Sequence, residues 1–289
     1  YIMKKYLLIL IGILNIYSFV VFAQSKYYKH SNDWLKKSEA CKPAFVYKKH
    51  FPLRIVKSVK DEKAYQGWRM EDVSNVEILF NESLKKHSGI ILDFGEHLTG
   101  TFNFSLKILG ERIASDAPIR LKFTFAEVPS ELNTPFDPYP GGLSRAWLQD
   151  EIITLMTVPI EASIPRRLSF RYLKIDVLGA SSFDFAFDKM SFTAQSAVEM
   201  IEMDLATTTD PLIKKINEVG LYTLKECMQT VYEDGPKRDR RLWIGDLYLE
   251  ALANAYSYKK HDLTKRCLYL LAALSNDCLL YTSPSPRDG

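Results

Sequence analysis

The sequence predicts an antiparallel β-sandwich, jelly-roll-like in its strand pattern, followed by a helical region. Between about residues 89 and 192, apolar residues alternate with polar ones, and turn-forming Gly, Pro and Asp separate the segments. After about residue 207 the apolar residues recur with a helical period instead. A chain of 289 residues with 47% apolar content can bury one large or two medium cores.

The strand pattern occurs in segments of about six to ten residues bounded by turn residues. These segments are residues 89–94, which end at Gly95, and residues 102–108, 119–125, 152–158, 170–177 and 183–192. The loop at 129–147 is long and rich in Pro and Gly. Long loops on sandwiches often carry function, so this one either forms part of the wall of a neighbouring site or is a variable insertion.

The helical region begins with Asp210 as an N-cap and Pro211 at the first helical position. Asp246 and Asp262 can cap two further helices, and the domain boundary falls between about residues 194 and 208. Three helices bury too little surface for a complete core, so we expect the first part of a larger α-domain. The apolar positions expected to face inward are Leu212, Ile213, Ile216, Val219, Leu221, Leu224 and Met228, then Leu249, Leu252, Ala253 and Tyr256, then Leu263, Cys267, Leu270, Leu271 and Leu274.

Both ends of the chain carry segments that we exclude from the fold. Residues 1–23 have two lysines, a long apolar run and Val-Phe-Ala before the expected cleavage after Ala23, the pattern of a secretory signal peptide. An uncleaved membrane anchor is the alternative. Residues 278–289 contain CLLYTSPSPRD, which resembles a translated sequencing adapter. We therefore expect an exported bacterial protein, periplasmic or secreted, without stable membrane insertion after cleavage.

Charge, cysteine and histidine content narrow the function classes. The formal charge of +3 falls to +1 without the two lysines of the leader. This net charge is too small to indicate nucleic-acid binding. Cys41, Cys227 and Cys267 lack metal spacing, and the last two fit packed thiols. The histidines show no metal pattern, so we predict no metal and no cofactor. His97 is interpreted as a turn histidine, although it could approach the helical region.

Charge is densest in residues 232–246, YEDGPKRDRRLWIGD, which we call the charged loop. Gly235, Pro236 and Gly245 indicate a loop of fixed shape rather than a solvated helix face. A charged loop held between two helices suits a carboxylate-based active site. A surface network of ion pairs is the alternative on charge alone.

Several segments resemble the bacterial α-L-rhamnosidases of glycoside hydrolase family 78. Ile-Leu-Asp-Phe-Gly-Glu at 91–96, continuing to Gly100, is similar to a DFG strand and turn of that family, Phe-Ala-Glu at 125–127 to its aE segment, and Arg-Tyr-Leu-Lys-Ile at 171–175 to its fRYv strand. The most specific likeness lies in the charged loop. Its DGPKRDRRLWIGD follows the family pattern D-C-P-x-R-D-E-R-x-x-W-x-G-D, with one residue fewer before the Trp.

The resemblance implies a fold and an activity. The catalytic domain of the family is an (α/α)6 barrel, so the expected organisation is a β-sandwich at 24–196 and the first part of the barrel at 197–277. The expected activity is inverting hydrolysis of terminal α-L-rhamnose, or a related sugar, from a carbohydrate substrate. Two carboxyl groups perform it, one as acid and one as base.

The resemblance also implies roles for residues of the charged loop. Asp234, Arg238 and Asp246 would bind the sugar hydroxyls, and Trp243 would supply an apolar wall. Arg240 stands where the family has its acidic Glu, and an arginine cannot donate a proton at neutral pH.

The catalytic acid is therefore expected to be Asp239 or Asp246, with Arg240 binding substrate and the base supplied by a later helix. The alternative for Asp239 is a simple ion pair with a neighbouring arginine, since the arginines of the loop would lower the pKa of a nearby carboxyl. The arginines of the loop would suit anionic sugars such as uronic acids. The alternative function is a carbohydrate-binding relative that has lost its acid.

Overall fold

The computed structural model describes residues 31–110, 116–201 and 210–274. The expected signal peptide at 1–23 and the expected adapter segment from Cys278 onward lie outside these ranges. No helix within them combines the length and apolar character needed to cross a membrane.

The described residues form an antiparallel sheet of nine strands, followed by helices. This confirms the predicted order of a β domain and then a helical region. The strands are β1 (Val46–His50), β2 (Arg54–Lys60), β3 (Trp68–Ser74), β4 (Ile90–Ile108), β5 (Ile119–Ala126), β6 (Asp150–Leu155), β7 (Ile160–Ser163), β8 (Leu168–Leu178) and β9 (Phe185–Ser196).

Strand β4 connects two parts of the sheet because its two halves pair with different strands. Its first half pairs with β2 and β8, and its second half pairs with β7 and β9. The prediction of a strand ending at Gly95 is wrong, since the chain continues through a bulge between Asp93 and Leu98. Gly95 adopts a φ of 85°, which a residue with a side chain rarely tolerates, and this lets the strand bulge and resume.

Phenylalanines join the two halves of the sheet into one core. Phe104 of β4 and Phe123 of β5 lie 5.1 Å apart between ring centroids, although their strands do not pair. Phe170 of β8 similarly lies 4.9 Å from Phe192 of β9. These rings are almost completely buried, so strands that do not pair with each other share one aromatic core.

Strand β6 differs from its predicted bounds of 152–158. It begins at Asp150 and ends at Leu155 at one end of the strand order, and Ile152 is exposed there. The apolar residues continue beyond the end of the strand to Val158, which is buried in the turn that follows.

The carboxylate of Asp93 ties three strands together beneath the bulge. It is fully buried and accepts hydrogen bonds from Arg54 of β2 at 2.8 Å, Arg171 of β8 at 2.9 Å and the Gly95 amide at 2.8 Å. Burial alone would raise the pKa of Asp93, but these hydrogen bonds hold it below its ordinary value. Asp93 belongs to the DFG segment, so that segment has a structural role.

The helices of the described chain are α1 (31–40), α2 (Ile78–Asn81), α3 (Pro129–Leu132), α4 (Pro211–Cys227), α5 (Ile244–Tyr256) and α6 (His261–Leu274). The predicted cap at Asp210 is confirmed, because its carboxylate accepts from the Leu212 amide at 2.8 Å. The predicted cap at Asp246 is wrong. Trp243 occupies the cap position of α5, and Asp246 lies in the first turn, as Asp262 does in α6.

The helices bury only part of their predicted inner faces. In α4 the second half of the stripe is buried at Leu221 and Leu224, whereas Leu212, Ile213, Ile216 and Val219 are exposed. For α5 the predicted face is wrong, because Leu249, Leu252 and Tyr256 are exposed and Leu247 and Asn254 are buried instead. Leu263, Cys267 and Leu271 of α6 are buried as predicted.

The described cysteines are free, and two of them are packed thiols as predicted. Cys227 and Cys267 are buried in the helical core, and burial raises the pKa of each thiol to about 12. Trp34 of α1 stacks on Tyr269 of α6 with 5.6 Å between ring centroids, so it serves packing rather than an open surface.

Replacing Asp93 should weaken the β domain at neutral pH. Asp93→Asn leaves two guanidiniums without their shared buried carboxylate, and we expect the free energy of unfolding to fall by about 3 kcal/mol. Because the pKa of Asp93 is lowered in the fold, its contribution is present above the unfolded value of about 4 and is lost as the pH falls below it. Urea unfolding between pH 3 and 7 measures both effects.

The matched control is Asp72→Asn, since Asp72 pairs with the same Arg54 at 2.8 Å but is exposed. It should cost less than about 1 kcal/mol. Equal costs for the two variants would contradict the structural role of Asp93.

Candidate functional site

The charged loop lies against the β domain, and its first carboxylate is anchored there. Glu233 is buried. The Nη2 of Arg167, the residue just before β8, donates to its two carboxylate oxygens at 2.8 and 2.6 Å. Burial raises the pKa of Glu233, and the guanidinium of Arg167 opposes that shift. The same arginine also donates to Gln229 at 3.3 Å, so one side chain of the β domain fixes the approach to the loop.

Asp234 and Trp243 meet inside the loop. The indole Nε1 of Trp243 donates to Asp234 Oδ2 at 2.6 Å, and the Arg241 amide donates to Asp234 Oδ1 at 3.0 Å. The Asp234 amide donates back to the Arg241 carbonyl at 3.1 Å, which closes the loop. The structure therefore brings together two of the predicted site residues and orients the indole ring through a carboxylate.

The side chain of Asp239 lies close to that of Asp234 inside the charged loop. The side chain of Asp239 is only 11% exposed and forms an ion pair with Arg238 at 3.0 Å. Burial raises the pKa of Asp234, and the charge of Asp239 adds to the shift, whereas the hydrogen bonds from the Arg241 amide and the Trp243 indole oppose it. The loop therefore favours protonation of the Asp234 carboxyl relative to a free carboxyl.

Arg240 is held in an unusual conformation. Its backbone has a φ of 54°, and its Nη2 donates to the Arg167 carbonyl at 2.8 Å. Its Nε is buried without a hydrogen-bond partner. Burial lowers the pKa of Arg240, as does the nearby positive charge of Arg167.

Asp246 is not joined to the pair of Asp234 and Asp239 by a hydrogen bond or ion pair among the described residues. It is exposed in the first turn of α5, one turn before Glu250. Burial raises the pKa of Glu250 to about 8, and the charges of Asp246, Asp234 and Glu233 add to the shift. Glu250 Oε2 is buried without a hydrogen-bond partner.

Glu250 is a site carboxyl that the sequence reasoning missed. Its spacing of four residues after Asp246 puts both carboxyls on one helix face, and this spacing could have indicated it.

The loop at 129–147 contributes to the wall of the site. Glu131 of α3 accepts from Lys237 Nζ at 2.7 Å on both carboxylate oxygens. Gln149, just after that loop, donates to the Lys237 carbonyl at 3.0 Å. These contacts favour the wall over a variable insertion unrelated to the site.

His97 connects the bulge of β4 to the helical region rather than serving only its own turn. Its Nε2 lies 2.9 Å from Glu127, its Nδ1 lies 3.5 Å from Glu226 of α4, and the Tyr222 hydroxyl donates to its carbonyl. Burial opposes protonation of the ring, but the two carboxylates raise the pKa of His97 to about 9. Across the described residues, no cluster of His, Cys, Asp and Glu could hold a metal ion.

Two family models cover most of the chain. Residues 52–194 match the model described as the glycosyl hydrolase family 78 alpha-rhamnosidase N-terminal domain. Residues 203–289 match the bacterial alpha-L-rhamnosidase 6 hairpin glycosidase domain. The chain belongs to glycoside hydrolase family 78. Its antiparallel sheet and C-terminal helices are consistent with a family 78 sandwich followed by the start of a helical barrel.

Solved structures of family 78 proteins are similar to this chain. A rhamnosidase from Klebsiella oxytoca with rhamnose bound has 40% sequence identity and a TM-score of 0.78, over 84% of this chain and 47% of that one. A family 78 rhamnosidase of Bacillus sp. GL1 has 19% identity and a TM-score of 0.49, over 62% of this chain and 17% of that one. This chain therefore spans about half the length of the Klebsiella protein. No curated protein sequence matches it.

In this family 78 chain, His97 should give the stability a dependence on pH. Because the fold raises the pKa of His97 to about 9, its contribution is fully present below the unfolded value of about 6.5 and is lost as the pH rises through 9. His97→Gln should therefore flatten the decline in the free energy of unfolding between pH 6.5 and 9.

Urea unfolding across that range measures the slope. His261→Gln is the control, because His261 is exposed at the start of α6. An unchanged slope in His97→Gln would contradict the charged link between the β domain and α4.

Proposed function

We propose that the protein to which this chain belongs is an exported glycosidase that removes terminal α-L-rhamnose, or a related sugar, from poly- or oligosaccharides. The observation that carries the proposal is the cluster of Asp234, Asp239 and Trp243, formed by the charged loop of a family 78 chain. The Klebsiella rhamnosidase with rhamnose bound supports the choice of sugar.

The sugar would be held by residues that the loop has already oriented. Asp234 is fixed by Trp243 and by the Arg241 amide, and its remaining lone pairs can accept sugar hydroxyls. The half-buried indole of Trp243 offers an apolar face to the sugar ring. Arg238 is 43% exposed beside Asp239, so its guanidinium can also reach a hydroxyl.

Asp239 is our choice of proton donor over Asp246. Its side chain is only 11% exposed, and it lies close to Asp234 in the closed loop. Asp246 is exposed on α5 and has no such partner among the described residues. Arg240 cannot take this role because a guanidinium stays protonated.

Inverting hydrolysis also needs a second carboxyl, which activates a water on the opposite face of the sugar. This chain spans 47% of the Klebsiella protein, and we propose that a part of the protein outside this chain supplies that base. On this proposal the chain alone binds sugar weakly and does not hydrolyse it.

A carbohydrate-binding protein without catalysis is the second candidate. Arg240 favours it, because this residue stands where the resemblance expects the acid and has a buried Nε without a partner. The two candidates make the same prediction for binding and opposite predictions for turnover.

The complete protein should hydrolyse an aryl α-L-rhamnoside, and Asp239→Asn should lower kcat at least about 100-fold with a small change in KM. The control is Asp61→Asn in the β domain, on the turn between β2 and β3. Loss of activity in Asp246→Asn with activity retained in Asp239→Asn would overturn our choice of acid. Rhamnose binding without any hydrolysis would favour the second candidate.

We also propose export to the periplasm or beyond, on the signal-peptide pattern of residues 1–23. The processed protein should begin at Gln24. N-terminal sequencing of protein from the culture medium or periplasm measures this, and a retained leader in a membrane fraction would contradict it.

A further inference from the structure

Lys237 ties the middle of the charged loop to the β domain. Its ammonium donates to both carboxylate oxygens of Glu131 at 2.7 Å, and only 10% of the lysine side chain is exposed. Lysine side chains usually keep their charged end in water. A lysine that is buried in a loop and paired with a carboxylate therefore holds that part of the loop in place.

The carboxylates that face Lys237 are themselves held by the β domain. Glu131 Oε2 accepts from the amide of Glu127, the residue after β5, at 2.6 Å. Burial raises the pKa of Glu127, but its hydrogen bond with His97 and the positive charge of Lys237 hold that pKa below its ordinary value. Lys237 therefore lies near two carboxylates whose positions are fixed by other contacts.

The backbone of Lys237 is held as well as its side chain. Gln149 is buried, and its side-chain amide donates to the Lys237 carbonyl at 3.0 Å. The side-chain oxygen of Gln149 accepts from the Ser169 amide of β8 at 3.0 Å, which fixes the orientation of the glutamine. The β domain therefore anchors Lys237 at two separate points.

The two residues that follow Lys237 are those to which the proposed function assigns a hydroxyl contact and the proton. Arg238 and Asp239 form an ion pair with each other at 3.0 Å. Within the described ranges, neither side chain has a hydrogen bond or ion pair with the β domain. Their position therefore depends on the anchored residues on either side of them, which are Lys237 and Arg240. A displacement of about 1 Å can cost a catalytic group about 100-fold in rate.

We propose that Lys237 is a positioning residue, which binds Glu131 and thereby sets where Arg238 and Asp239 meet the sugar. This inference rests on the proposed function, because it assigns a role in the same hydrolysis. It also gives the loop at 129–147, which contains Glu131, an influence on turnover that needs no contact between that loop and the substrate.

The test measures hydrolysis of an aryl α-L-rhamnoside by the complete protein. Lys237→Met should lower kcat at least about tenfold and change KM less than about threefold, because a displaced Asp239 affects proton transfer more than substrate binding. Lys237→Arg should recover most of the lost kcat, because it keeps the positive charge and can bind Glu131 through two hydrogen bonds. An ion pair that serves only stability would leave kcat of the folded variants unchanged.

A double-mutant cycle tests whether Lys237 acts through Glu131. Glu131→Gln should also lower kcat, although its remaining oxygen can still accept from the Glu127 amide. The double variant Lys237→Met/Glu131→Gln should lose no more than Lys237→Met alone, because the two side chains form one link. Losses that multiply in the double variant would overturn the inference.

The matched control is Lys85→Met, which also removes a lysine paired with a carboxylate. Lys85 pairs with Asp184 at 3.3 Å just before β9 begins, whereas the charged loop lies beside the start of β8, which is level with the end of β9. This variant should leave kcat and KM unchanged. Circular dichroism checks the folding of each variant, and Glu131→Gln carries the test if Lys237→Met does not fold.

The outcomes separate this inference from the proposed function. Hydrolysis by the unmodified protein tests the function alone. Hydrolysis with an unchanged kcat in the folded Lys237→Met protein overturns the positioning role and leaves the function standing. A loss of kcat that Lys237→Arg does not reduce also overturns it. Failure of the folded, unmodified protein to hydrolyse the rhamnoside overturns both.

Discussion

The ion pair between Arg167 and Glu233 is the interaction on which the candidate site depends. It joins the start of β8 to the start of the charged loop. The buried carboxylate of Glu233 accepts two short hydrogen bonds from Arg167. Around it, Lys237 reaches Glu131 and His97 reaches Glu226. The loop therefore has its shape because a sheet lies behind it. The β domain therefore contributes contacts to the candidate site directly.

The fold was predictable wherever local pattern decided the outcome. The alternation around Phe104 and Phe123 indicated antiparallel strands with one buried face, and Asp210 with Pro211 indicated the start of α4. Prediction failed where distant residues decide. Gly95 looked like the end of a strand, but the bulge persists because Asp93 is held by arginines from β2 and β8. The buried face of α5 likewise depends on which helices lie beside it, which periodicity alone does not specify.

The residues of the candidate site also differ in whether local sequence could predict them. Asp234 and Trp243 could be predicted together because they belong to one short motif, and the structure joins them by a hydrogen bond. Arg167 could not be, since it meets Glu233 across 66 positions of sequence. The positive φ of Arg240 was missed for a related reason. Residue types show which groups are present, whereas burial and strain arise only when the loop closes against the sheet.

Hydrogen–deuterium exchange across the charged loop tests most directly whether the β domain shapes it. In Arg167→Met the amides of Arg240 and Arg241 should lose at least about tenfold of their protection, a change of about 1.4 kcal/mol, while amides in the middle of α6 keep theirs. Arg166→Met, which loses the more exposed pair with Glu151, should leave the loop protected. Unchanged protection of the Arg240 and Arg241 amides in a folded Arg167→Met protein would contradict the account.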